Sequence, residues 1–214
     1  MCPSESATAQ PVGSRPGGCL GSFQGVGGVV DIEWARSVAR AELSRVLPRR
    51  WSHTQGVEKA AVNLSGGLPE DAAVLLRAAA VLHDIGYAPK LARTGFHPLD
   101  GARFLRDEHE ADERLTRLVA NHSCALLEAE ERGLRSELET EFPLPDNRLL
   151  VDALIYADMT TTPDGQPTTP SARISEIVGR YGPETLVGRF IQRATPEIMA
   201  ASARVELALL NQPR

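Results

Sequence analysis

The sequence has little cysteine and no long apolar run, and each shortage excludes a class of protein. Only three of the 214 residues are cysteine and none forms a Cys-x-x-Cys motif, so neither a disulfide framework nor a thiolate zinc site is expected. No apolar run approaches the roughly 18 residues that span a bilayer. The first 30 residues lack the basic start and continuous apolar stretch of a secretory signal. We therefore expect a cytoplasmic protein that does not bind membranes.

Positive charge is not in excess either. Lysine and arginine number 23 against 28 aspartates and glutamates, which gives a net charge of −5. Proteins that bind nucleic acid usually carry a basic balance or a basic stripe, whereas only short clusters such as Arg49-Arg50 occur here. A nucleic acid duplex is therefore not an expected partner, although a small anionic ligand remains compatible with the composition.

The pattern of apolar residues predicts an all-α protein. Residues 1–30 are rich in Gly, Pro and Ser and lack apolar periodicity, so we expect a disordered extension. From Asp31 onward apolar side chains recur at helical spacing, and no segment alternates as a strand does. We predict one helical domain over residues 31–214. The predicted helices are 31–47, 50–64, 69–86, a helix from Pro98 through Leu105, 111–122, 125–132, 149–158, 171–181, 183–193 and 196–210.

The most informative segment is a His-Asp pair at the end of an apolar helix. His83 and Asp84 follow a run of Ala, Val and Leu. A buried carboxylate normally has a cationic partner or a metal, and the only cation close by in the sequence is Arg77. A structural role explains this segment equally well: Asp84 would cap the turn at Gly86, and the ring nitrogens of His83 would form hydrogen bonds within the core.

The remaining histidines favour a metal site. His53, His97 and His122 have apolar neighbours in helices or at helix ends, whereas His109 lies in a charged run and is excluded. Asp158 ends another apolar stretch. A donor set of imidazole and carboxylate without thiolate suits divalent iron, manganese, zinc, nickel or cobalt. The predicted ligands are His53, His83, Asp84, His97, His122 and Asp158.

The order His53, His83-Asp84, Asp158 resembles the HD-domain superfamily of metal-dependent phosphohydrolases over about residues 35–195. The resemblance implies that these four residues hold a first metal ion. It also implies that His97 and His122 hold a second and that Asp84 bridges the two. The segment after His122 lacks the Gly-Tyr-Pro signature of cyclic dinucleotide hydrolases, so that activity is not expected.

Several residues near the predicted ligands are candidates for binding substrate. Lys90, Arg93 and Tyr87 follow the His-Asp pair, and Thr161 lies in the loop after Asp158. Arg50 and Arg173 are further candidates, although charged side chains on loops are common without a function. A glutamate-rich run, with members Glu128, Glu130, Glu131 and Glu137, is interpreted as a solvated face.

Three functions remain open at this point. The first is hydrolysis of a small phosphoester, such as a nucleotide or related metabolite, by a metal-activated water that Asp84 and Asp158 position. The second is oxidation of a small molecule by two irons, which some dinuclear HD-type proteins carry out with the same order of ligands. The third is a scaffold without catalysis, although such proteins usually lose metal ligands and none is missing here.

Overall fold

A computed structural model describes residues 30–211, so the predicted disordered extension lies almost wholly outside the described residues. The helices are α1 (Ile32–Leu43), α2 (Pro48–Leu64), α3 (Glu70–Leu82), α4 (His97–His109), α5 (Glu113–Ala120), α6 (Ala125–Arg132), α7 (Arg135–Glu141), α8 (Arg148–Met159), α9 (Pro170–Tyr181) and α10 (Leu186–Leu210). Single 3₁₀ turns follow α2, α3 and α5. Between residues 30 and 211 the only extended pairing is an isolated bridge from Thr161 to Pro167. The all-α prediction is confirmed, and no helix in this range is long and apolar enough to cross a membrane.

Helix α3 lies at the centre of the fold. Glu70 and Asp71 occupy its first turn, where negative charge stabilises the helix dipole. Its last turns, residues 78–82, are completely buried. A helix that is apolar all round must be covered on every side, and α1, α2, α5 and α8 surround α3. The His-Asp pair that follows α3 is therefore delivered to the interior.

Two close backbone approaches bring distant segments to the end of α3. A side chain on Gly86 would place its Cβ 2.1 Å from the carbonyl oxygen of His97, so only glycine lets this turn lie against the start of α4. A Cβ on Gly56 would lie 2.6 Å from Gly165, in the loop after α8. These contacts place the start of α4 beside Asp84 and the α8–α9 loop beside α2.

The structure corrects the sequence interpretation at α10, which is one helix where two were predicted. Pro196 lies inside it and removes one backbone hydrogen bond, a change that costs about 3 kcal/mol in a helix interior. The helix continues because its buried face is uninterrupted on both sides of the proline, from Phe190 and Ile191 to Ile198. That face packs against α8 and α9.

Helix α7 was not predicted. It is only seven residues long and mostly charged, so its apolar periodicity is weak. The signal present in the sequence is a spacing of four between Leu134, Leu138 and Phe142, and the last two are buried.

Candidate metal centre

The six residues predicted to bind metal lie together in the structure. His53 is on α2, His83 and Asp84 follow α3, His97 begins α4, His122 lies in the turn after α5, and Asp158 is near the end of α8. Five of them are exposed by 8% or less of their surface: His53, His83, Asp84, His122 and Asp158. The side chain of His97 is 12% exposed. Five segments of chain thus deliver imidazoles and carboxylates to one buried point.

Asp84 stands between two groups of donor atoms. Its Oδ2 atom is 3.6 Å from Nε2 of His53 and 3.3 Å from Nε2 of His83. Its Oδ1 atom is 3.3 Å from Nε2 of His97 and 4.0 Å from Nε2 of His122. Asp158 completes the first group, because its Oδ1 atom lies 3.1 Å from Nε2 of His53. Two sets of donors have metal-site spacing: His53 with His83 and Asp158, and His83 with Asp84 and His122.

The main chain fixes the orientation of three of the imidazoles. Nδ1 of His53 lies 3.0 Å from the carbonyl oxygen of Thr162. In His83 and His122 the same nitrogen lies 2.7 Å from the carbonyl oxygens of Ala80 and Val119. A carbonyl oxygen only accepts, so Nδ1 carries the hydrogen and Nε2 keeps its lone pair. All three lone pairs therefore face the two carboxylates.

This arrangement of acceptors favours positive charge between them. Nε2 of His83 is buried and has no hydrogen-bond partner among residues 30–211. Nε2 of His97 and Nε2 of His122 lie 3.1 Å apart, a distance that two lone pairs tolerate only with a proton or cation shared between them. Unpartnered buried donors and acceptors are costly, whereas a divalent metal satisfies imidazole and carboxylate together. The donor set fits one or two such ions.

The electrostatics keep the donors in the forms that bind metal. Burial raises the pKa of the Asp84 carboxyl, but the Arg50 guanidinium and His83 outweigh this effect and hold the pKa well below its usual range. The pKa of Asp158 is lowered in the same way, against burial, by His53 and His83. Burial, reinforced by His83, lowers the pKa of His122 to about 3, so this imidazole is neutral at physiological pH. Burial also lowers the pKa of His97.

His83 behaves differently from the other two histidines. Burial lowers its pKa, but the neighbouring charges of Asp84 and Asp158 outweigh burial, and the net shift is upward. The field of the two carboxylates thus favours a positive charge at the centre of the site. A bound metal ion would supply that charge without protonating the ring.

Arg50 is the cationic partner of Asp84. Its Nη1 atom donates to Oδ2 of Asp84 over 2.6 Å, and its guanidinium lies 4.0 Å from the ring centre of Tyr87. Tyr87 in turn stacks on His97 with ring centres 3.9 Å apart. Arg77, the cation that the sequence offers as a partner for Asp84, pairs with Glu58 instead. The partner of Asp84 comes from another helix, so sequence proximity did not reveal it.

The turn after His122 adds a residue that the sequence interpretation missed. Ser123 and Cys124 have φ values of +47° and +63°, which non-glycine residues rarely adopt. This strained turn directs the Ser123 hydroxyl to Oδ2 of Asp158, to which it donates a short hydrogen bond. Strain of this kind persists where the surroundings over-determine it, often at functional sites. Burial raises the pKa of the neighbouring Cys124 thiol to about 12, so it is not a reactive thiolate.

A cavity of about 240 Å³ opens onto the metal-ligand cluster. Asp84, His97, His122, Ser123 and Asp158 line its floor. Its walls include four arginines, Arg50, Arg132, Arg173 and Arg180, together with Tyr87 and Tyr181. Apolar side chains of α9 and α10, among them Ile177 and Phe190, complete the lining.

Of the four other residues predicted to bind substrate, the structure places one in the cavity lining and three outside it. Tyr87 lines the cavity, but Lys90, Arg93 and Thr161 do not. Lys90 is 68% exposed and pairs with Glu42 on α1, and the backbone N–H of Arg93 donates to Asp100. The Thr161 hydroxyl donates to the carbonyl oxygen of Ala157 and is buried.

The interpretation of the glutamate-rich run as a solvated face is wrong for Glu128. This residue is buried, lines the cavity and forms an ion pair with Arg132. Its position on the inner side of α6 places it one turn from Ala125, which also lines the cavity.

Comparison with known proteins identifies the family. The family model described as HD domain matches residues 50–176, a segment that includes all six predicted metal ligands. The chain therefore belongs to the HD-domain family, whose members are largely metal-dependent hydrolases. No curated protein and no solved structure matches the chain.

Proposed function

We propose that this protein is a metal-dependent phosphohydrolase that acts on a small phosphoester, such as a nucleotide or a related metabolite. The observation that carries the proposal is the four-arginine lining of a cavity whose floor is a cluster of metal-binding side chains. Guanidinium groups match the oxygens of a phosphate in charge and geometry. Arg50 and Arg132 pair with Asp84 and Glu128, whereas Arg173 and Arg180 share Glu176, so within residues 30–211 one guanidinium lacks a carboxylate of its own and favours an anionic substrate.

The roles of the side chains follow from their positions. His53, His83, Asp84 and Asp158 would hold one metal ion, and Asp84, His97 and His122 a second. When bound, such an ion supplies a water of lowered pKa and polarises the phosphoryl oxygen. The low pKa values of Asp84 and Asp158 keep both carboxylates able to accept a hydrogen bond from the attacking water. Arg50, fixed between Asp84 and Tyr87, would stabilise negative charge that develops on the phosphoryl group.

A second candidate function is oxidation by a pair of irons. The observation in its favour is that Asp84 offers one oxygen to each of two donor groups, as a bridge between two metals requires. Bridging is equally compatible with a dinuclear hydrolase, and the arginines favour the hydrolase. We therefore place the oxygenase second and the scaffold third, since all six predicted ligands are present.

Metal analysis of the purified chain is the first test. Inductively coupled plasma mass spectrometry would compare the unmodified chain with Asp84→Ala and with His109→Ala, which removes a histidine outside the cluster. We expect bound zinc, manganese, nickel or cobalt in the first and third proteins but not in the second, and release of phosphate from a phosphoester panel. Two irons per chain without phosphate release would favour the oxygenase. No metal in any of the three, even after supplementation, would exclude both enzymes.

A further inference from the structure

Arg173 is a buried guanidinium with too few partners. It lies in the first turn of α9 and is only 6% exposed. Its one side-chain hydrogen bond within residues 30–211 joins Nη1 to Glu176, and its Nε atom is buried without a partner. A guanidinium has five N–H donors, and burying them unsatisfied is costly. The side chain is thus poised for an acceptor that the protein itself does not provide.

Arg173 faces the metal-ligand cluster across the cavity. It lines the same cavity as Asp84, His97, His122 and Asp158. A ligand atom held in the cavity is therefore within reach of both the floor and this guanidinium.

The four arginines of the cavity differ in how they pair with carboxylates. Arg50 is paired with Asp84, and Arg132 is paired with Glu128. On α9, by contrast, Arg173 and Arg180 share the single carboxylate of Glu176, which lies 3.3 Å from Nε of Arg180. Among the described residues, 30–211, one of these two guanidinium charges therefore has no carboxylate of its own.

We propose that Arg173, with Arg180 beside it, binds a terminal phosphate on the side away from the metal ligands and thereby selects phosphate monoesters over diesters. A monoester dianion has three non-bridging oxygens, so it has an acceptor for the guanidinium besides those directed at the floor. A diester has two non-bridging oxygens and one negative charge. Its second organic group must also fit a cavity of about 240 Å³. This inference rests on the proposed phosphohydrolase function and specifies its substrate class.

The test compares two esters and one anion with the metal-loaded full chain. The esters are p-nitrophenyl phosphate and bis(p-nitrophenyl) phosphate, and inorganic phosphate is the binding probe in calorimetry. We expect the unmodified chain to prefer the monoester. Loss of charge-assisted hydrogen bonds in Arg173→Gln should reduce kcat/KM for the monoester by about 10-fold or more, chiefly through KM, with a much smaller loss for the diester. Phosphate affinity should fall by a similar factor while metal content stays constant.

Two further variants separate anion binding from folding. Arg148→Gln removes an arginine of α8 that pairs with Asp152 outside the cavity, so it should leave both esters and phosphate binding unchanged. Arg173→Lys keeps the charge without the forked geometry, and we expect an intermediate loss on the monoester. Equal losses on both esters in the folded Gln and Lys variants would overturn the proposal, as would unchanged phosphate affinity.

Failure of the proposed function would give a different result. If the unmodified chain hydrolyses neither ester, the phosphohydrolase is excluded for these probes, and phosphate calorimetry alone decides the role of Arg173. Weaker phosphate binding in Arg173→Gln would then support an anion site, and the same affinity in both proteins would overturn it.

Discussion

The floor and the wall of the cavity are built by different means. The metal-ligand floor consists of the six predicted ligands, His53, His83, Asp84, His97, His122 and Asp158, and backbone carbonyl groups orient three of its imidazoles. The arginine wall consists of Arg50, Arg132, Arg173 and Arg180, whose guanidiniums are held by carboxylate side chains. Main-chain contacts on packed helices hold donors within the tolerances that a metal needs. Ion pairs between side chains can exchange partners when an anionic ligand arrives.

The largest effect is expected from replacing Asp84, the predicted ligand that both donor groups of the metal-ligand floor share. Asp84→Asn keeps the size of the side chain but removes the charge that faces both donor groups and Arg50. We expect metal content to fall below one tenth of that of the unmodified chain and phosphoester hydrolysis to be lost. Asp100→Asn is the matched control, because Asp100 is equally buried but accepts hydrogen bonds from Arg93 and Thr94. Retention of metal by Asp84→Asn would contradict the bridging role.

Removing the metal should destabilise the whole domain, because the floor joins five segments of chain. Binding at 100 times Kd contributes about 2.7 kcal/mol. For a domain of this size each kcal/mol corresponds to roughly 2–4 °C in Tm, so chelation should lower Tm by about 5–10 °C. Differential scanning calorimetry with and without chelator measures the shift, and added metal should reverse it. Asp84→Asn should show no shift, and a similar shift in that variant would mean that the chelator acts elsewhere.

The sequence predicted the floor far better than the wall, and the reason is physical. His53, His83 and Asp158 stand out because charged or titratable groups are rare beside buried apolar faces and have few explanations there. Arg50 and Arg173 of the wall were candidates, but Arg132 and Arg180 were not, because spacing along the chain does not encode which side chains of α6 and α9 line the cavity. Lys90 and Arg93 were expected near the metal because they follow Asp84 in sequence. The 3₁₀ turn at residues 85–87 leads the chain out of the site, and Lys90 instead reaches Glu42 on α1.

The helices show the same contrast between local and tertiary information. Helix α3 was predicted because its apolar residues recur at helical spacing up to the His-Asp pair. The continuation of α10 through Pro196 was not predicted, because proline locally favours the end of a helix. Packing of α10 against α8 and α9 overrides that preference, and packing is a property of the assembled fold.

A smaller effect is expected at Asp158, a predicted ligand that is oriented by a side-chain hydroxyl rather than by a backbone carbonyl group. Ser123→Ala removes the hydroxyl that donates to Oδ2 of Asp158. Loss of a hydrogen bond to a metal ligand typically weakens metal binding by about 10- to 100-fold. Ser123→Gly removes the same hydroxyl but relieves the strain of the positive φ, so it should be about 1 kcal/mol more stable than Ser123→Ala. Metal titration and urea unfolding measure the two effects, and equal metal affinity in all three proteins would make the hydroxyl dispensable.

The smallest effect is expected at an arginine–carboxylate pair that resembles those of the arginine wall but lies outside the cavity. Glu141 on α7 pairs with Arg103 and Arg106, which lower its pKa to about 2 and outweigh the opposing effect of burial. A depressed carboxyl pKa stabilises the fold above the unfolded value, near 4.5, and this contribution disappears as the pH falls through about 2. Glu141→Gln should therefore cost about 0.5–1 kcal/mol at pH 7, and the difference should shrink steadily below pH 4.5. Urea unfolding of both proteins between pH 7 and pH 3 measures it. A difference independent of pH would mean that Glu141 acts through packing, and arginine–carboxylate pairs would then be a poor guide to the energetics of the arginine wall.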